Sequence, residues 1–245
     1  MHVQFVGSGD AFGSGGRFNT CFHVVGGEMN FLVDCGASSL VAMKRLGIDC
    51  NAIDLIVLTH YHADHCGGVP FFILDAQFVA RRTHPLTIAG PPPVEEWFSR
   101  QMETAFAGSS RSAKKFDVSL VELTPDHTWR FRNVEIRSVR VRHGMPFEFC
   151  HGYRIAIDSK VLAFSGDTEW TDSLIEIGRD ADLFVCEASV YDKRVQMHLA
   201  YRQLVEKLPL IRPKRLIINH MSDDMLGRGD AITHDTAQDG LTIKI

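Results

Sequence analysis

A chain of 245 residues, 45% hydrophobic and 23% charged, carries enough apolar mass for a substantial core and does not have the composition of a disordered protein. Its net charge of −4 argues against a protein that grips long nucleic acid by electrostatics alone. No apolar run reaches the roughly 18 residues that would cross a bilayer, and Met1-His-Val-Gln-Phe5 runs into a strand without a basic leader, so a cytoplasmic protein is expected.

Three strands open the chain, at Val3–Val6, Cys21–Val25 and Phe31–Asp34. The loop from Gly7 to Gly16 holds five glycines in ten positions, but no P-loop lysine follows, so it reads as a tight-turn loop bordering a site. Ala37–Leu46 is expected to be a helix, Asp54–Leu58 a buried strand and Gly67–Arg81 a helix. After a strand at Leu86–Ala89, the prolines at 91–93 start a helix over Val94–Phe106. Gly108–Phe116 lacks periodicity and is expected to be a mobile loop with solvated charges. Strands return at Val118–Leu123, Thr128–Phe131, Val134–Val141, Gly152–Ile157 and Lys160–Phe164. They are followed by a helix at Thr171–Gly178, a strand at Asp182–Cys186, a helix at His198–Lys207, a strand at Arg215–Ile218 and a closing strand at Leu241–Ile245. Two β-rich halves with helices after each suit one α/β domain over residues 1–245, a four-layer αβ/βα sandwich. The six cysteines contain no CxxC pair, and several lie in strand-like surroundings, so they read as buried thiols.

The chemistry is densest at Thr59-His-Tyr-His-Ala-Asp-His65, directly after the Asp54–Leu58 strand. Three imidazoles and a carboxylate in six positions build a poor core and a good metal site, because each is a hard or borderline ligand at neutral pH. Three further candidates also follow strands: His143, Asp167 in Phe164-Ser-Gly-Asp-Thr168, and His220 in Leu216-Ile-Ile-Asn-His-Met-Ser222.

The His60–His65 segment resembles the HxHxDH signature of the metallo-β-lactamase superfamily, and the later segments follow in the order that superfamily uses. The resemblance implies a sandwich of the metallo-β-lactamase type. It implies one metal held by His60, His62 and His143, a second by Asp64, His65 and His220, and Asp167 bridging both. Two divalent ions in such a mostly N/O set, most simply Zn²⁺ with Mn²⁺ or Fe²⁺ as alternatives, would outweigh two aspartates and attract an anionic ester.

An acid rather than a cysteine at Asp167 speaks against the antibiotic-hydrolysing branch, and His62 stands where the flavodiiron branch carries glutamate. Gly7-Ser-Gly-Asp-Ala11, Leu32-Val-Asp-Cys-Gly36, Gly152-Tyr-Arg154 and Cys186-Glu-Ala-Ser189 look closest to the ribonuclease Z-like phosphodiesterase branch. That branch implies a catalytic His198 opening a helix with Glu187 as its partner acid, Asp64 handling the attacking water, and a homodimer. Leu199 departs from the Ser or Thr that follows this histidine in the branch. Only Ile155–Phe164 separates Arg154 from Ser165, so the long arm that clamps tRNA is missing. A small cyclic or nucleotide-like phosphodiester is therefore expected rather than tRNA. Lactone and thioester hydrolases share the same ligand set and stay open as an alternative.

Overall fold

The computed structural model describes residues 1–144 and 149–245. The first half runs β1 (His2–Gly7), β2 (Cys21–Gly26), β3 (Met29–Val33), α1 (Ser39–Arg45), β4 (Leu55–Val57), α2 (Ala63–Cys66), α3 (Val69–Phe78), β5 (Leu86–Gly90), α4 (Val94–Ala105) and β6 (Val118–Glu122). The second half runs β7 (Thr128–Phe131), β8 (Val134–Arg140), β9 (His151–Ile157), β10 (Lys160–Phe164), α5 (Ser173–Gly178), β11 (Leu183–Glu187), α6 (Tyr201–Ile211), β12 (Leu216–Asn219), α7 (Asp223–Leu226) and β13 (Asp235–Thr236). The last strand, β14 (Thr242–Lys244), returns to pair antiparallel with β1. Two seven-stranded sheets result, in the orders β14-β1-β2-β3-β4-β5-β6 and β13-β12-β11-β10-β9-β8-β7.

Period-two side-chain alternation explains why the sheets stack with helices outside. Phe31, Val33, Leu55 and Val57 point into the inter-sheet core with Tyr153, Ile155, Phe164 and Val185. Their neighbours Leu32, Ile56 and Leu58 face outward beneath Ala42, Phe72, Ile73, Phe98 and Met102. On the second sheet Ala163, Phe184 and Ile218 face outward against Leu174, Ile177 and Leu204. The arrangement is the expected αβ/βα sandwich. Phe22 and Phe164 meet across the sheets with ring centroids 5.3 Å apart, and burying each such side chain is worth about 1.5–3 kcal/mol.

Parallel pairs need crossovers, and here the helices supply them. β3 to β6 are parallel neighbours, as are β10 to β13. The strand carboxyl ends in each parallel set therefore open on one edge, where loops are free to carry function.

The helix expected at Gly67–Arg81 is α3, and a short additional helix, α2, precedes it within the ligand segment, the two separated at Gly67-Gly68. Gly68 N–H bonds the Cys35 carbonyl at 2.9 Å rather than continuing the helical ladder, so the first turn stays with the ligand segment. The helix expected to open at His198 opens at Tyr201. Ala200 is extended and bridges Val190, and Tyr201 N–H bonds Val190 O at 2.8 Å, which leaves His198 on a loop. The Gly108–Phe116 segment is irregular as expected, but its charges are not simply solvated. Lys114 and Lys115 lie over the rings of Phe98 and Phe78, and Ser109 Oγ donates to Met102 O at 2.8 Å. All six cysteines are free and buried. No helix among the described residues is long and apolar enough to cross a membrane.

Candidate metal centre

The chain leaves β4 and turns at once into the His60–His65 segment. The second sheet pins this exit: Tyr153 O–H donates to Leu58 O at 2.6 Å and His151 N–H to Thr59 O at 2.9 Å. His143 follows β8, Asp167 follows β10 and His220 follows β12. One potential donor atom each from His60, His62 and His143 lies within 4.8 Å of the others, and the same holds for Asp64, His65, Asp167 and His220. The seven candidate metal ligands are thus brought to one place, in two groups that overlap further groups through His198 and Glu187. Asp167 joins the groups, 3.3 Å from His65 Nε2, 3.2 Å from His220 Nε2 and 3.8 Å from His143 Nε2.

Backbone geometry at the centre is demanding. A Cβ on Gly36 would sit 2.2 Å from the Asp64 carbonyl oxygen, so glycine is required for the β3 exit to pack beneath the ligand segment. Asp34, Met197 and His220 all adopt left-handed conformations, with φ of 60°, 68° and 57°. Such strain in non-glycine residues persists where surrounding structure enforces it, and it gathers at functional sites.

A second ring of contacts orients the imidazoles. His65 Nδ1–H donates to the buried Asp34 carboxylate at 2.7 Å, which fixes the ring and turns Nε2 toward Asp64 and Asp167. Thr59 spends its backbone N–H (2.8 Å) and its hydroxyl proton (2.9 Å) on Asp34, so His60 Nδ1 donates to the Thr59 oxygen at 3.1 Å. His143 Nδ1–H donates to Met197 O at 2.8 Å. Sequence reasoning gave no site role to Asp34, Thr59 or Tyr153. The available signal for Asp34 was a carboxylate ending the apolar run Phe31-Leu-Val33.

These residues fit divalent metal. The Nε2 atoms of His60 and His65 are buried without a hydrogen-bond partner among the described residues, a costly state for a polar nitrogen unless a ligand takes it up. Burial and the neighbouring His65 push the His60 pKa well down, keeping it in the neutral form a metal needs. Burial alone would raise the Asp167 pKa, yet His220 and His65 overrule it and hold the carboxylate well below its ordinary range. Asp64, likewise buried, is held well below its ordinary range by the adjacent His220 and His65 imidazoles. With His65 and His220 in the neutral form that ligation requires, Asp64 and Asp167 would be buried charges in need of compensation, which divalent ions would supply.

Glu187 and His198 stand beside this cluster. Glu187 ends β11, almost fully buried, and accepts from Thr168 N–H, from Leu199 N–H at 3.2 Å and from His198 Nδ1 at 3.2 and 3.3 Å. Its oxygens are already saturated, which suits orientation of a histidine better than ligation. The His198 ring lies 4.9 Å from His143 and 5.5 Å from His220 between centroids. Burial would lower its pKa, but the Glu187 carboxylate overrules burial and pushes it up to about 9.

The layered fold and this cluster define a metal-dependent hydrolase of the metallo-β-lactamase superfamily, ribonuclease Z-like in kind. The chain belongs to the anti-Pycsar protein Apyc1 family, whose model matches residues 1–238. It is similar to a ribonuclease Z of Agathobacter rectalis, 34% identical over 129 residues; the match covers 52% of this chain and 39% of that protein, well under half its length. The fold matches the metallo-β-lactamase fold protein YhfI of Bacillus subtilis with a TM-score of 0.81 at 20% identity, covering 99% of this chain and 98% of that one. It also matches a diphosphatase from the PhnP family, with a TM-score of 0.78 at 20% identity over 100% of this chain and 97% of that one.

Proposed function

We propose that residues 1–245 form one hydrolase domain that holds two divalent ions, zinc by preference, and cleaves a small cyclic or nucleotide-like phosphodiester. His60, His62 and His143 would hold one ion, Asp64, His65 and His220 the other, and Asp167 both. Bound there, the ions supply Lewis acidity and water that ionises near neutral pH. Asp64, beside His65 and His220, orients the attacking water and takes up its proton. As the new P–O bond forms and the opposite one breaks, His198 donates its proton to the departing oxygen. Glu187 fixes the His198 tautomer through Nδ1, so the other ring nitrogen faces the reaction.

The Glu187–His198 pair, in ring contact with ligands of both groups, carries this reading. A general acid matters most for a poor alkoxide leaving group, as in a phosphodiester, and least for an activated thioester. The small-substrate part rests on the β9–β10 connection, a two-residue turn of Asp158 and Ser159 where ribonuclease Z would insert its arm. Names among the relatives, ribonuclease Z and a diphosphatase, also favour phosphorus over carbonyl substrates. The six buried free thiols are in line with a reducing cytoplasm, and the branch resemblance supports a homodimer, which sedimentation would check.

The test is hydrolysis of bis(p-nitrophenyl) phosphate and of a 3′,5′-cyclic nucleotide by zinc- or manganese-loaded protein, beside a lactone and thioester panel. His198→Ala is expected to lose about 10²–10⁴-fold in kcat on the cyclic nucleotide while metal content stays at the parent level. Equal rates for variant and parent would remove His198 from the chemistry, and turnover confined to the lactone or thioester panel would replace the phosphodiesterase reading.

A further inference from the structure

His198 rides on the loop between β11 and α6, and different neighbours hold the parts of that loop. Its inner limb is seated on the metal centre: Met197 O accepts from His143 Nδ1–H at 2.8 Å, and His198 Nδ1 bonds Glu187 at 3.2 Å. Its neck is closed by the Val190–Ala200 bridge and by Ser189 N–H donating to Leu199 O at 3.1 Å. Between neck and inner limb, residues 192–196 are all exposed, so core packing does not fix their course.

The outer limb is tied to α7 instead. Asp224 Oδ2 accepts from Tyr191 N–H at 2.9 Å, and Asp224 Oδ1 meets Lys193 Nζ at 3.1 Å and Arg228 Nη2 at 2.9 Å. Arg228 also lies over the Tyr191 ring, 4.7 Å from its centroid, and Tyr191 stacks on Tyr201 at 5.7 Å. The Tyr191 N–H, then the Arg228 and Lys193 side chains, pull the Asp224 pKa down to about 2, so the carboxylate is ionised and accepting at neutral pH. α7 follows closely on the candidate ligand His220, and Ser222 N–H and hydroxyl both donate to Ser189 O. The short helix is thus continuous with a candidate ligand and, through Asp224, fastened to the loop of the proton donor.

We propose that Asp224 is a positioning residue for the proton transfer, setting the loop so that His198 stands in register with the centre built on His220. The proposal rests on the phosphodiesterase reading above. Asp224 acts through the loop and not on the diester. Without its three ties the exposed limb opens more readily, and His198 spends less time facing the departing oxygen. A misplacement of about 1 Å caused far from the chemistry can cost up to about 10²-fold in rate.

A double-mutant cycle on metal-loaded protein tests this. Asp224→Ala should lower kcat on a 3′,5′-cyclic nucleotide about tenfold at parent metal content. On bis(p-nitrophenyl) phosphate, whose leaving group needs little protonation, the change should stay within about twofold. Added to His198→Ala, the same substitution should cost less than about twofold on the cyclic nucleotide, because there is no donor left to position. Asp224→Asn keeps an acceptor for Tyr191 N–H and should stay within about threefold of the parent. Arg228→Ala loosens the same tie from its more exposed side and should repeat the substrate pattern at about threefold, whether or not the alanine variant of Asp224 folds. Equal losses on both substrates, an equal loss with and without His198, or no loss in either alanine variant overturns the inference while the phosphodiesterase reading stands. A His198→Ala rate equal to the parent, or a parent inert on every diester, overturns that reading and the inference with it.

Discussion

The two sheets reach the centre by different routes. The first contributes four candidate ligands from one short segment, His60, His62, Asp64 and His65, all set down within the turn after β4. The second contributes one residue per strand end, His143, Asp167 and His220, with Glu187 ending the strand between the last two. The first group is therefore local, its spacing written into consecutive positions and stiffened by Asp34 and Thr59. The second exists only when four strands stand in the right order and register. Pairings such as Phe164 with Val185 and Glu187 with Asn219 bring those ends level. A site divided this way resists local fraying on one side and reports global folding on the other.

The largest test of that division is Asp167→Ala, because Asp167 touches His65 and His220 and approaches His143. Zinc at a hundredfold excess over Kd should stabilise the parent by about 2.7 kcal/mol per site, which for a chain of this length raises Tm by roughly 5–10 °C. Asp167→Ala should lose most of that shift and at least one of two metal equivalents, read by calorimetry and elemental analysis. Retention of both equivalents with a full thermal shift would mean that the two groups bind metal independently and need no bridge.

The same division explains what the sequence made legible. His60–His65 announces itself because ligand density in six consecutive residues has no structural use. His143, Asp167 and His220 became readable only through their flanking segments, since an isolated strand-end histidine more often serves structure. The unbroken apolar run of β4, like Phe31-Leu-Val33 in β3, foretold buried strands, and the two β-rich halves with helices after each foretold the layers. Details set by tertiary contacts were not legible. The break at Gly67-Gly68 depends on a carbonyl of Cys35, far away in sequence, and the late start of α6 depends on a bridge that Ala200 makes to Val190 across an intervening loop. The role of Asp34 is hidden for the same reason, because its partner His65 lies 31 positions away.

Asp34 gives the next test, of intermediate size. Asparagine at this position keeps the shape of the side chain but gives up the charge that holds the His65 Nδ1 proton and the Thr59 hydroxyl. Loss of such a supporting group costs metal affinity about 10–100-fold. A chelator competition series should show that loss for Asp34→Asn, with unchanged far-ultraviolet circular dichroism. The same change should leave His198 bonded to Glu187, since that contact belongs to the other half. An unaltered affinity would show that the local group is held by its backbone turn alone and that the buried carboxylate has a different use.

The smallest effect concerns the turn on which the register of the second half begins. Asp158 and Ser159 both hold positive φ, 51° and 60°, and Ile157 pairs directly with Lys160, which makes a two-residue I′ hairpin. Left-handed backbone costs an L-residue roughly 1–2 kcal/mol, and most of that cost vanishes for glycine. Ser159→Gly should therefore raise stability by about 0.5–1 kcal/mol, after allowing for the greater freedom of glycine in the unfolded chain. The matching Tm shift is about 1–4 °C. Asp158 is better left in place, because its carboxylate accepts from Asn133 Nδ2 at 3.3 Å and ties the turn to the neighbouring hairpin. Ser159→Val should move stability the other way, since a branched Cβ fits this φ worst. Urea melts of the three proteins would settle the order. If valine proved as stable as glycine, the connection would not be a I′ turn, and the short hairpin would lose its place as the element that sets β10, and with it Asp167, in register.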